Sequence, residues 1–107
     1  MSQDIPAAVQ RALTAIDEQD NDAFVAAFAP DGYVNDWGRE FRGPDRIRSW
    51  SDNELIGKQA TFTDTQVTVA GNPLTILTQV GGKGFNGPSH FTFAVDGDRL
   101  ASMTITA

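Results

Sequence analysis

Cysteine is absent from this 107-residue chain, and histidine occurs once. Without thiols there are no disulfides, no thiolate metal site and no cysteine nucleophile, and a single imidazole leaves zinc and other histidine-rich centres short of ligands. Basic charge is also scarce. Eight Lys and Arg stand against 14 Asp and Glu, a formal net charge of -6 and a pI near 4.4. Such a surface repels phosphate backbones and anionic lipid, which argues against nucleic acid and membrane as partners. No apolar run approaches the ~20 residues that a bilayer span needs. The opening MSQDIPAAVQ lacks the basic segment and apolar stretch of a secretory signal. A cytoplasmic protein is the default expectation, with neither metal nor cofactor. Phosphate loops and nucleophile elbows are missing too: the glycine-rich GGKGFNG at Gly81 to Gly87 has neither the spacing nor the following helix.

What is present is sufficient for a core. A chain of this length buries about two thirds of the surface of its unfolded form, so residues 1–107 are expected to form one domain. Ile5, Val9, Ala12, Leu13 and Ile16 recur at helical spacing and predict a helix ending near Glu18, with Asp4 as its cap and Pro6 in its first turn. Asp20 and Asn21 suit the cap of a second, short helix with Phe24, Val25 and Phe28 facing inward, ended by a turn at Pro30-Asp31-Gly32. Tyr33 to Trp37 reads as a short strand, with Val34 and Asp36 on one side and Tyr33, Asn35 and Trp37 on the other, before Gly38 turns the chain. Gly43-Pro44-Asp45 starts a third helix, with Ile47 and Trp50 on one face, Leu55 or Ile56 continuing it and Gly57 stopping it.

From Lys58 the period changes to two, in the runs ATFTDTQVTVA, PLTILTQV, PSHFTFAV and DRLASMTIT, which read as an antiparallel meander. In the first run Ala60 and Phe62 are even-numbered while Val67 and Val69 are odd, so a bulge near Asp64 to Gln66 is expected to reconcile the two faces and bend the sheet. Gly71-Asn72 and Asp96-Gly97 supply turns.

This order of elements, together with FAPDGYVND, GPDRIRSW and HFTFAVDGDRLASMTI, resembles the nuclear transport factor 2-like superfamily over nearly the whole chain. That superfamily includes SnoaL-like polyketide cyclases and ketosteroid isomerases. The resemblance implies an α+β fold, three N-terminal helices packed in the concave face of a strongly curved antiparallel sheet, with a cone-shaped apolar pocket between them. It also implies a homodimer through the outer face of the sheet. Asp36 falls where the isomerases carry their proton-shuttling aspartate. At the positions of their oxyanion tyrosine and second aspartate this chain has Ala12 and Ser89, so the SnoaL-like cyclases, which lack that pair, are the closer comparison.

Asp36 is accordingly the candidate base. In an apolar pocket beside Val34, desolvation raises a carboxyl toward a useful value; the alternative is a carboxylate paired with Arg39 or Arg42 at the strand end. His90 is the chain's one imidazole, the side-chain type whose unperturbed pKa lies near neutrality, and is the candidate acid, although strand alternation sets it opposite Phe91 and Phe93. Tyr33, Val34, Trp37, Trp50, Phe62, Ser89 and Phe91 are the candidate ligand-lining residues. The partner these imply is a small hydrophobic, partly oxygenated molecule, handled with or without cofactor-free proton transfer. Two alternatives stay open: a non-enzymatic binding or interaction module, and a cone filled by Phe24, Phe28, Phe62, Phe91 and Phe93.

Overall fold

The computed structural model describes residues 5–107, and the expected cap Asp4 lies outside them. Helix α1, Ala7–Glu18, buries the stripe Val9, Ala12 and Ile16, as the helical spacing requires. Pro6 is its N-cap rather than a first-turn residue. Gln19, in the left-handed region, reverses the chain into α2, Asn21–Ala26. There Asp20 Oδ1 accepts the Ala23 N–H at 3.1 Å, the cap foreseen from its position.

Strand β1, Phe28–Asp36, begins five residues before the expected Tyr33 and absorbs Phe28 and Pro30-Asp31-Gly32. No turn forms there because the segment lies along β6, Arg99–Thr106. The pairing jumps from Phe28↔Leu100 to Tyr33↔Ser102, so five steps on β1 match two on β6. Gly32 sits at that irregularity, where a Cβ would come within 2.9 Å of the Leu100 carbonyl oxygen. The residues that suggested a turn serve a bulge and a close approach. A short strand that sequence did not announce, β2, Arg39–Arg42, then pairs antiparallel with β1.

Helix α3, Pro44–Glu54, starts on Gly43 with proline in its first turn. It ends three residues before Gly57, which instead lies in a 3-10 turn, Ile56–Lys58. Leu55 and Ile56 are both buried. The remaining strands are β3, Thr61–Val69, β4, Leu74–Gly81, and β5, Gly87–Asp96. With β6 they form the antiparallel meander. Asp64 takes φ 52° where the β3–β4 register shifts between Thr63 and Gln66, so the bulge falls where the change of parity placed it.

The six strands form one curved sheet in the order β2-β1-β6-β5-β4-β3. It is mixed rather than wholly antiparallel, because β1 runs parallel to β6. Leu74, Ile76, Phe91, Phe93, Leu100 and Met103 point from its concave face against Val9, Ile16, Phe24 and Ile47, all buried. The three helices therefore sit inside the bend of the sheet, the cone of the nuclear transport factor 2-like fold. No helix of the described residues is long and apolar enough to cross a membrane.

Candidate functional site

Asp36 is the last residue of β1 and the cross-strand partner of Arg39. Between them Trp37 and Gly38 both have positive φ, 55° and 94°, the conformation a two-residue hairpin needs to follow strand twist. Asn35 Oδ1 accepts the Gly38 N–H at 2.8 Å and fixes the turn. This turn removes Trp37 from the alternation of β1 and leaves it at the rim of a cavity, 60% exposed.

Arg39 Nη2 lies 2.5 Å from Asp36 Oδ2 and 2.8 Å from Glu54 Oε1, so it ties the end of β1 to the end of α3. Trp50 Nε1 donates to the same Asp36 Oδ2 at 3.1 Å. The indole is itself held between Phe24 and Phe41, with ring centroids at 6.4 and 6.1 Å. Hydrogen bonds to Glu54 and then to Asp36 raise Arg39 further above its already high value, so the guanidinium stays cationic at any pH the fold tolerates. Arg39 is more than half exposed, so its ion pairs are screened by water, whereas the Asp36 side chain retains only 13% of its exposure. Asp36 Oδ2 is thus engaged twice. Oδ1 accepts no hydrogen bond from the described residues.

Beside this carboxylate lies a cavity of about 400 Å³, within the usual range for small-molecule sites. Its buried lining comes from Trp50, Leu55, Ala60, Val80, Ser89 and Ile105. Its exposed lining comes from Trp37, Arg39, Asn53, Glu54, Lys58 and the Gly84-Phe85 segment of the β4–β5 connection. Ser89 is 2% exposed and belongs to the lining of this space. Among the described residues no three His, Asp or Glu side chains converge as a metal site requires.

Of the residues singled out by sequence, Asp36, Trp37, Trp50 and Ser89 meet at this cavity. Tyr33 does not: its ring lies under the Arg42 guanidinium at 4.5 Å. Val34 is fully buried core. Phe91 is core as well and packs against Phe62 at 4.7 Å, while Phe62 borders a separate hollow of about 160 Å³ with Leu13 and Ile16. The phenylalanines therefore fill part of the cone and leave the end beside Asp36 open. His90 is on the outer face of β5, opposite Ser89 and Phe91, with Nδ1 2.8 Å from the Ala107 backbone oxygen. The structure does not bring it to Asp36. Sequence reasoning assigns no role to Glu54, Lys58, Phe85 or Ile105; Arg39 enters it only as an alternative partner for Asp36 at the strand end, and that ion pair is present. For Arg39 a signal existed, since Asp-Trp-Gly-Arg has the spacing of a two-residue hairpin that sets its first and last residues opposite each other.

Among curated proteins, none matches the sequence. Solved structures do match in fold. A putative polyketide cyclase from Sinorhizobium meliloti superposes with a TM-score of 0.81 at 24% identity, covering 95% of both chains. A protein with a ketosteroid isomerase-like fold from Catenulispora acidiphila, in complex with trimethylamine, gives 0.73 at 24% identity, covering 97% of this chain and 87% of that one. RV0760c from Mycobacterium tuberculosis, in complex with estradiol-17beta-hemisuccinate, gives 0.73 at 14% identity over 94% and 90%. The model of the SnoaL-like domain matches residues 9–103, and with its cone-shaped fold the chain belongs to the SnoaL-like domain family.

Proposed function

We propose that this protein binds a small hydrophobic, oxygen-bearing molecule in the open end of the cone, with Asp36 accepting a hydrogen bond from a ligand hydroxyl. The observation that carries this reading is the more buried of the cavity's two carboxylates, Asp36, with Oδ2 fixed by Trp50 and Arg39 and Oδ1 accepting no hydrogen bond from the described residues. A hydrogen bond to an ionised oxygen contributes about 1.5–3 kcal/mol, enough to orient an otherwise apolar ligand. Ser89 offers a second polar contact from the buried lining, and Trp37 and Trp50 offer flat apolar surface. The two ligand complexes among the structural neighbours support small-molecule binding by this fold without specifying the ligand here. No cofactor is called for.

Proton transfer is the second reading. Abstraction next to a carbonyl needs a positioned base and some electrophilic help, and Asp36 Oδ1, which accepts no hydrogen bond from the described residues, is the oxygen that would take the proton. Two features favour binding over this chemistry. Protonating Asp36 weakens its ion pair with Arg39, and of the two positions equivalent to the isomerases' oxyanion donors, Ala12 is buried core while only Ser89 reaches the cavity.

We further propose that two copies pair through the outer face of the sheet. The residues that β4, β5 and β6 turn outward include Thr75, Leu77, Gln79, His90, Thr92 and Thr104, with no Asp, Glu, Lys or Arg among those between the strand ends. In a chain that is 21% charged, an uncharged stretch of sheet suits a partner better than water.

Calorimetric titration with 2-naphthol and 2-methoxynaphthalene, a pair differing in the hydroxyl donor, tests the Asp36 assignment. The expected result is tighter binding of 2-naphthol by about tenfold or more, the equivalent of one charged hydrogen bond, with the difference shrinking in Asp36→Asn. Equal binding of the pair would remove Asp36 from the site, and no binding of either would remove the pocket itself. For any substrate that is turned over, Asp36→Asn abolishes turnover with the fold intact; retained turnover excludes Asp36 as the base.

A further inference from the structure

The charges around the cavity are not evenly matched. Asp36 and Glu54 are both held by Arg39, so those three groups satisfy one another and leave a residual negative charge at the β1–α3 side. The fourth charged residue of the lining is Lys58, in the 3-10 turn after α3. No carboxylate lies within ion-pair distance of it among the described residues.

Lys58 is also held in place. Its carbonyl accepts the Lys83 N–H at 2.8 Å, which ties the β4–β5 connection to the 3-10 turn. One residue on, Gly84 packs so closely on the lysine stem that a Cβ there would lie 3.2 Å from both Lys58 Cβ and Cγ. Asn86 Nδ2 donates to the carbonyls of Gly82 and Gly84 and closes the loop on itself. The stem is therefore laid against a loop whose Gly84 and Phe85 themselves line the cavity. The site has a hydrogen-bond acceptor at one side, a cation with no ion-pair partner among the described residues at another, and apolar surface from Trp50, Val80 and Ile105 between them.

Resting on the binding reading above, we propose that Lys58 selects the ligand class: an amphipathic molecule with a hydroxyl for Asp36 and an anionic group, such as a carboxylate, for Lys58. A neutral ligand leaves the ammonium solvated and gains nothing from it. A cationic ligand competes with Arg39 for carboxylates already engaged and meets Lys58 as a like charge. An anion is disfavoured at long range by the net charge of -6, which salt screens, and gains the contact at short range.

The test uses three ligands with the same ring system and hydroxyl and different end groups: 6-hydroxy-2-naphthoic acid, its methyl ester, and 6-(aminomethyl)-2-naphthol. Calorimetric titration of the wild-type protein is expected to place the acid about fivefold tighter than the ester, the upper end for an exposed ion pair, with the amine weakest. In Lys58→Met, which keeps the length of the stem, the acid loses this advantage and the ester is bound as before; Lys58→Arg keeps the preference. Raising sodium chloride to about 0.5 M narrows the acid–ester gap in the wild type. An ester or amine bound tightest, or an acid preference that survives Lys58→Met, overturns the assignment of Lys58 and leaves the pocket standing. Failure of all three ligands to bind overturns both.

Discussion

Trp50 joins the core to the candidate site, and Trp50→Phe separates its two contributions. The residue is 3% exposed, packs against Phe24 and Phe41, and donates its indole N–H to Asp36 Oδ2 at 3.1 Å. Phenylalanine keeps most of the apolar contact and removes the donor. A hydrogen bond to a charged group is worth about 1.5–3 kcal/mol, and the lower end applies here because Asp36 keeps Arg39 and is not left bare. The smaller ring also forfeits on the order of 1 kcal/mol of burial and packing. The expected loss is about 2–3 kcal/mol, a substantial share of the ~5–15 kcal/mol that holds a domain of this size together. Urea unfolding followed by circular dichroism reads the loss as a lower midpoint at unchanged slope. Repeating the substitution in an Asp36→Ala background isolates the hydrogen bond, since only the packing cost of about 1 kcal/mol should remain. A loss below about 0.5 kcal/mol in the wild-type background, or an equal loss in both backgrounds, would refute the claim that Trp50 holds the carboxylate.

Two further predictions concern stability and assembly. An ideal Cβ at Gly57 would lie 1.6 Å from the Asp52 carbonyl oxygen, so Gly57→Ala must force the 3-10 turn away from α3; a loss of about 1–3 kcal/mol in urea unfolding is expected, and an unchanged midpoint would contradict it. Leu77→Lys places a charge in the middle of the uncharged outer face and should convert a dimer to a monomer in light scattering while leaving the far-ultraviolet dichroism intact; a wild-type protein that is monomeric at tens of micromolar would refute the proposed pairing outright.

The parts of the fold that sequence reported faithfully are those in which a long periodic pattern meets its own capping or turn chemistry. Helix α1, the Asp20 cap, the Gly43-Pro44 start of α3 and the four strands of the meander are of this kind, as is the bulge at Asp64. The errors lie where tertiary contact overrides local preference. Pro30-Asp31-Gly32 has turn composition, yet β6 lies alongside and takes it as a bulge. Gly57 reads as a helix stop, yet its lack of a side chain serves close packing on Asp52. At the site, Asp36, Trp37, Trp50 and Ser89 were legible from chemistry and from resemblance. Lys58, Phe85 and Ile105 were not, because they come from a one-turn helix, a glycine-rich loop and the last strand, and only the curvature of the sheet brings them to one space. Tyr33 and His90 have suitable chemistry for a site, but parity and strand twist turn them elsewhere.

The central claim is that the open end of the cone receives a ligand against Asp36 and Trp50. Both tryptophans of the chain line that cavity, so the two indole N–H resonances of the nitrogen-15-labelled protein, told apart with Trp37→Phe, report on it directly. Titration with 2-naphthol should shift the Trp50 indole resonance saturably in the wild type, with the dissociation constant rising by about tenfold or more in Asp36→Asn. Indole resonances that stay fixed while 2-naphthol perturbs other residues, or perturbs none, would contradict the account.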